Sequence, residues 1–147
     1  MLISQILRNK RPDVVVISPD ATVRSAISSM AREHVGSLVV VDEDEQLLGV
    51  VSEREIITEL DSRGAELLGA PVRAVMRTDV PVATLNDTLR SVMEVMTAAR
   101  ARHVPVVAYG RPIGIVSIGD VVKSRLDETI RENNVLQEIA RAHWMTS

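Results

Sequence analysis

The sequence predicts an α/β (α+β) fold in which two copies of one structural unit pack as a pseudo-two-fold pair. Three observations support this prediction. The phrase "GVVSERE" at 49–55 returns as "GIVSIGD" at 114–120. Each phrase follows an apolar run, at 38–41 and 104–107, that has the length and composition of a strand. Each run in turn follows a segment with helical apolar spacing.

The first unit begins with a short helix at Ile3–Leu7 and a brief strand over Val14–Val16. Ser18-Pro19 then predicts the start of a helix, because proline suits a first helical turn. A strand, a turn and the strand "LLGVVS" follow, and Ser52 predicts the start of the last helix. From its spacing, the first long helix is predicted to bury Val23, Ile27, Met30 and Ala31.

The second unit repeats this order. A short helix at Val72–Met76 precedes a brief strand over Val80–Val82, and Thr84 with Asp87 resembles a capping box at the next helix. Ser117 predicts the start of the last helix. The helix that follows Thr84 and Asp87 is predicted to bury Leu89, Val92, Met93 and Met96. We divide the chain into a first repeat at 1–61, a linker at 62–71, a second repeat at 72–124 and a C-terminal helix or tail at 125–147.

The composition restricts the classes of function. Of the 147 residues 46% are hydrophobic, with no Phe, one Trp and one Tyr, so the core is aliphatic and offers no stacking platform for bases. A net charge of −3 also argues against nucleic-acid binding. The absence of cysteine excludes disulfides and thiolate chemistry. No apolar run suits a membrane span or a secretory signal, so we expect a cytoplasmic protein without membrane partners.

The repeated phrase has two interpretations. In the structural one, Ser117 with Asp120 and Ser52 with Glu55 have capping-box spacing where a strand meets a helix, and the glycine of each phrase permits close packing or a bulge. In the functional one, the amides at the helix N-terminus attract a phosphate, and the acid accepts hydrogen bonds from a ribose diol. Arg102-His103 would then add positive charge for the phosphate.

The doubled pattern "VISPDATV…GSLVVVDEDEQLLGVVSERE" and "VATLNDTL…RHVPVVAYGRPIGIVSIGD" resembles the tandem cystathionine-β-synthase (CBS) domain pair, or Bateman module. The resemblance extends from Ile3 to Val122 and is to stand-alone bacterial members. It implies a regulatory module, not an enzyme, that requires no cofactor and binds an adenosine-containing ligand between its repeats. AMP, ADP or ATP is the expected ligand, with NAD and S-adenosylmethionine as further candidates. Because such pairs commonly dimerise, we also expect a homodimer and an unidentified protein partner.

The resemblance also implies the residues of two sites. The first comprises Ser117, Asp120, Arg102, His103, Val14 and Val35, in which Asp120 would hold the ribose and the basic pair the phosphate. The second comprises Ser52, Arg54, Glu55, Thr78 and Val80. This second site departs from the family pattern, since Glu55 replaces aspartate and Gly36-Ser37 replaces the basic pair. We therefore expect it to be weaker, or selective for another ligand.

No other motif indicates catalysis or a metal site. The histidines lie far apart, with His34 expected at a helix end and His143 in a solvated tail. No nucleophile, phosphate-loop or dinucleotide motif is present. The apolar stripe of the C-terminal helix predicts either a helix that covers its own domain or a dimer contact. The alternative function is a ligand-free interaction or dimerisation module whose pockets are vestigial.

Overall fold

The computed structural model describes residues 1–8 and 14–146. Its elements follow the predicted order in the first repeat, whereas in the described second repeat the leading helix is a 3₁₀ helix and no strand precedes the first long helix. The α+β class is confirmed. The helices and strands are α1 (Ile3–Arg8), β1 (Val16–Ile17), α2 (Val23–Glu33), β2 (Ser37–Val41), β3 (Leu47–Ser52), α3 (Glu53–Arg63), α4 (Leu89–Ala99), β4 (His103–Ala108), β5 (Arg111–Ser117) and α5 (Ile118–Thr146). Two 3₁₀ helices, Gly64–Gly69 and Val72–Ala74, lie between α3 and α4.

Each repeat forms a small sheet around one hairpin. In the first repeat β1 pairs in parallel with β2, and β2 pairs antiparallel with β3. In the second repeat β4 pairs antiparallel with β5. Both hairpins contain a register shift at the equivalent place, between Val40 and Val41 and between Val106 and Val107. The shared irregularity indicates that the two hairpins have the same geometry, although the turns that close them differ in length.

The strand predicted over Val80–Val82 is wrong. Residues 80–82 form no strand, and the next residue, Ala83, makes an isolated parallel bridge to Val106 of β4. In the first repeat the amide of Val39 donates to the carbonyl of Val15 at 3.0 Å. Its counterpart in the second repeat is Pro105, which has no amide to donate. The ladder therefore shortens to the two bonds that Ala83 makes, each of 2.9 Å.

The long helices begin later than predicted. Thr22 caps α2 and Thr88 caps α4, and each hydroxyl accepts the amide three residues further on at 3.1 Å. Ser18-Pro19 instead belongs to a turn, and so does Thr84, whose amide donates to Asp87 Oδ2 at 2.8 Å. Thr22 and Thr88 are the N-caps because each directly precedes the first apolar residue of its helix.

The predicted core face of α2 is partly wrong. Val23 and Met30 are buried, whereas Ile27 and Ala31 are exposed and Ala26 is buried instead. The observed set has the spacing i, i+3, i+7 of a narrow helical stripe. In α4 the prediction is confirmed, since the predicted positions are buried or partly buried: Leu89, Val92, Met93 and Met96.

The hydrophobic core of each repeat contains the leading helix of the other repeat. Ile3 and Ile6 of α1 are buried in the core of the second repeat. Val72, which opens the second repeat, is buried in the core of the first, together with Leu67. Leu67 lies in the segment 62–71, so the predicted linker places one side chain in the first core, although most of its residues are exposed. Since neither repeat has a complete core without the other, we infer that they fold together.

The glycines of the repeated phrase let these crossing segments approach the sheets. A Cβ on Gly49 would overlap the carbonyl oxygen of Arg77, whose backbone exchanges two 2.9 Å hydrogen bonds with Val50. A Cβ on Gly114 would lie 2.7 Å from Leu7 Cδ1. Both glycines therefore permit close packing, but against a segment that crosses from the other repeat and not, as predicted, between the strands of the hairpin.

The last helix, α5, continues without interruption for 29 residues through Asn133-Asn134. Its first turns pack on the second repeat, and Glu128 pairs with the amino group of Met1 at 3.4 Å. All residues from 129 to 145, His143 among them, are exposed. The prediction of a helix that covers its own domain is thus wrong for this part of the chain.

Candidate ligand-binding site

A cleft of about 930 Å³ opens between the two repeats. Its lining is pseudo-symmetric: residues 33–37 and 52–55 of the first repeat contribute, and so do 99–103 and 117–120 at the equivalent positions of the second. These are the ends of α2 and α4 and the corners where β3 meets α3 and β5 meets α5. The repeated phrase therefore ends in the wall of one shared cleft.

The corner of the second repeat is closed by a reciprocal capping box. The amide of Ser117 donates to Asp120 Oδ2 at 2.8 Å, and the amide of Asp120 donates to Ser117 Oγ at 3.1 Å. The register places His103 opposite Ser117, and the amide of Ile118 donates to the carbonyl of Arg102 at 2.8 Å. The hydroxyl, the acid and the basic pair are thus held together at the start of α5.

The corner of the first repeat has the same backbone and different side-chain bonds. Ser52 lies opposite Ser37, and the amide of Glu53 donates to the carbonyl of Gly36 at 3.0 Å. The side chain of Ser52 makes no cap bond to α3. Glu55 Oε2 is buried without a hydrogen-bond partner. A capping box was predicted here as well, and that prediction is wrong.

Most residues of the two predicted sites lie in this single cleft. From the first site Val35, Arg102, His103, Ser117 and Asp120 line it, and from the second Ser52, Arg54, Glu55 and Val80 do. Val14 and Thr78 do not, whereas their neighbours Val15 and Arg77 do. Each miss is by one position along the chain.

Sequence reasoning missed several charged residues of the lining. His34 and Arg100 are left-handed C-caps of α2 and α4, with φ angles of 56° and 51°. His34 was expected only as a helix end, which is confirmed, but it also lines the cleft. Glu33 and Glu53 line the cleft too. Carrying the repeat alignment outward from the basic pair would have identified the two C-caps, since they occupy equivalent positions.

Among residues 1–8 and 14–146, no group of three or more histidine, cysteine or acidic side chains has the arrangement of a metal site. No helix among them is long and apolar enough to cross a membrane.

The fold and the doubled corner define a tandem CBS pair. The family model of the CBS domain matches residues 3–62 and 72–127, so the chain belongs to the CBS domain family and carries two repeats of it. It is 38% identical to the CBS-domain containing protein ATU1752 from Agrobacterium tumefaciens, with a TM-score of 0.81 over 85% of this chain and 99% of that one.

Two other solved relatives contain adenosine compounds. The CBS domain protein PAE2072 from Pyrobaculum aerophilum, complexed with AMP, is 29% identical, with a TM-score of 0.73 over 82% of this chain and 89% of that one. The CBS domain pair of protein MJ0100, in complex with 5′-methylthioadenosine and S-adenosylmethionine, is 25% identical, with a TM-score of 0.75 over 88% and 97%. Among curated relatives, the chain spans 55% of the length of a mitochondrial CBS domain-containing protein from Arabidopsis thaliana, to which it is 35% identical.

Proposed function

We propose that this CBS pair is a regulatory module that senses an adenine nucleotide, AMP, ADP or ATP, in the cleft between its repeats. NAD and S-adenosylmethionine are the further candidates. The observation that carries the proposal is the corner of the second repeat, where Asp120 and Ser117 are fixed at the start of α5 beside Arg102 and His103. The two solved relatives with adenosine compounds support the ligand class.

The chemistry of the corner suits a nucleotide. A carboxylate accepts about four hydrogen bonds, which suits a ribose diol, and the amide of Ser117 fixes the position of the Asp120 carboxylate. The guanidinium of Arg102 would pair with a phosphate, and Arg100 lines the same part of the cleft. The amides at the start of α5 add partial positive charge. Val35 and Val15 offer apolar contact to a base from the first repeat.

Regulation follows from the position of the cleft between two halves. A ligand that contacts both repeats shifts their relative arrangement by its differential affinity for the two arrangements. Because each core contains a helix of the other repeat, such a shift reaches the surfaces of both halves. A protein partner would respond to the changed surface, and no catalytic step is required.

A homodimer is the second part of the proposal. The described part of α5 exposes many large apolar side chains. They are Ile118, Val122, Leu126, Ile130, Val135, Leu136, Ile139, Trp144 and Met145. An exposed apolar stripe of this length is typical of a protein interface, and a second copy of the chain would cover it.

A thermal-shift panel with AMP, ADP, ATP, NAD and S-adenosylmethionine tests the nucleotide proposal. A ligand at a hundred times its Kd adds about 2.7 kcal/mol to the free energy of unfolding. We expect a shift with at least one nucleotide that disappears in Asp120→Ala and persists in Asp127→Ala, which removes an exposed carboxylate from the same helix. No shift with any of the five would support the alternative, an interaction module whose repeated phrase is a helix cap.

A further inference from the structure

The two ends of the cleft differ in charge at several equivalent positions. In the second repeat Arg102 precedes β4, and its carbonyl accepts the amide of the apolar Ile118. In the first repeat the equivalent pair is Gly36 and Glu53, joined by the same backbone bond. Glu53 Oε1 lies 3.2 Å from the position that a Cβ on Gly36 would occupy. A carboxylate therefore lies in the first repeat beside the position that carries a guanidinium in the second.

The remaining charges of the lining strengthen this difference. The first repeat adds Glu33, whose equivalent in the second is Ala99, whereas Glu55 and Asp120 place one carboxylate at each end. The second repeat adds Arg100, whose equivalent in the first repeat is His34. The end formed by the first repeat is thus acidic, and the end formed by the second is basic.

The two cations near the acidic end do not reverse its sign. Arg54 lies between Glu53 and Glu55 in the first turn of α3. Arg77 pairs with Asp79, with Nε 3.5 Å from Oδ1. A phosphate that entered this end would meet three carboxylates, one of which, Glu55, has a buried oxygen without a donor. Bringing a like charge near such a group is unfavourable, whereas a hydrogen-bond donor or a cation would satisfy it.

We propose that the first-repeat end of the cleft binds an adenosine whose 5′ substituent is cationic or uncharged, and that it rejects 5′-phosphates. Glu53 is the residue that determines this specificity, because it lies beside Gly36, the position equivalent to Arg102, which would face the 5′ substituent at the other end. Glu55 accepts from the ligand hydroxyls. The inference rests on the proposed function, since it assumes that adenosine compounds enter the cleft.

The test uses three adenosines that differ only at the 5′ carbon: AMP, adenosine and 5′-amino-5′-deoxyadenosine. Their affinities are measured by calorimetry on the full chain carrying Asp120→Ala, which disables the second-repeat corner. We expect the amine to bind most tightly and AMP most weakly. Adding Glu53→Gln should reduce the ratio of amine to AMP affinity by at least about fivefold, the effect of about 1 kcal/mol of lost charge interaction. Glu59→Gln, the same change on α3 outside the cleft lining, should leave the ratio unchanged.

Each result supports or overturns a defined statement. A preference for AMP in the Asp120→Ala chain, or an affinity ratio that Glu53→Gln leaves unchanged, overturns the inference. So does the absence of all binding to the Asp120→Ala chain when the wild-type chain binds AMP, and in that case the proposed function stands. If the wild-type chain binds none of the three adenosines, both the inference and the proposed function are overturned.

Discussion

Ser117 and Asp120 cap each other at the start of α5: the amide of Ser117 donates to Asp120 Oδ2 at 2.8 Å, and the amide of Asp120 donates to Ser117 Oγ at 3.1 Å. Ser52 and Glu55 occupy the equivalent corner and make neither bond. The two copies of one phrase therefore differ in their side-chain bonds although their backbones match. In the second repeat the corner is fixed before any ligand enters, whereas the first repeat contains an acceptor that its own chain does not satisfy.

This difference predicts unequal effects of the same substitution. Without ligand, Ser117→Ala should lower the free energy of unfolding by about 0.5–2 kcal/mol, the usual effect of removing an N-cap side chain. Ser52→Ala should change it by less than about 0.5 kcal/mol, since its hydroxyl makes no cap bond. Urea denaturation of both variants measures the difference. Equal losses would contradict the assigned roles.

Glu55→Asp copies the corner of the second repeat into the first. The shorter carboxylate would reach the amide of Ser52 as Asp120 reaches that of Ser117, and the buried oxygen without a partner would be removed. We expect the free energy of unfolding to rise by about 1 kcal/mol, the net value of one hydrogen bond. The reverse change, Asp120→Glu, is the matched control and should lower it. A loss of stability in Glu55→Asp would show that Glu55 has a structural role of its own.

The sequence was sufficient for the repeat, the two hairpins and most of the cleft, because a duplicated strand–corner–helix phrase places equivalent residues at equivalent points. It did not predict which core each leading helix enters. The spacing of Ile3 and Ile6 predicts that both side chains are buried, but it does not predict which of the two cores contains them. In the structure each core contains the leading helix of the other repeat. Glu53 was missed for a similar reason, since its contact is with Gly36, which is distant along the chain.

The glycines of the phrase predict a graded response to the same added methyl group. In Gly49→Ala the new Cβ would overlap the carbonyl oxygen of Arg77, a backbone atom held by two hydrogen bonds to Val50. In Gly114→Ala it would meet the end of the Leu7 side chain, which can change rotamer. We expect Gly49→Ala to lower the free energy of unfolding by about 3 kcal/mol and Gly114→Ala to lower it by about 1 kcal/mol, both within the range for overpacking. Thermal denaturation of the two variants compares their losses of stability. The double variant of Gly114→Ala with Leu7→Ala removes the overlap at Gly114. A larger loss in Gly114→Ala than in Gly49→Ala would contradict the prediction.

The exchange of leading helices predicts a long-range effect. Ile3 is fully buried in the core of the second repeat, so Ile3→Ala should cost about 2–5 kcal/mol. Amide hydrogen exchange should accelerate in β4 and β5, although Ile3 lies in the first repeat of the sequence. Ile57→Ala, at a position that is 66% exposed, is the control and should change neither measurement. Faster exchange confined to β2 and β3 would contradict the observed packing.

The exposed stripe of α5 predicts a homodimer that one charge disrupts. Leu126 and Ile130 are 57% and 48% exposed, one helical turn apart, and burial of such side chains contributes about 1.5–3 kcal/mol each. Leu126→Glu places a carboxylate in the stripe, so we expect it to weaken dimerisation by at least about a hundredfold, equivalent to about 2.8 kcal/mol. Arg131→Glu adds the same carboxylate on the opposite side of the helix and should leave the dimer intact. Sedimentation equilibrium compares the three proteins, and a monomeric wild type, or a dimer in Leu126→Glu, would show that a second copy does not cover this stripe.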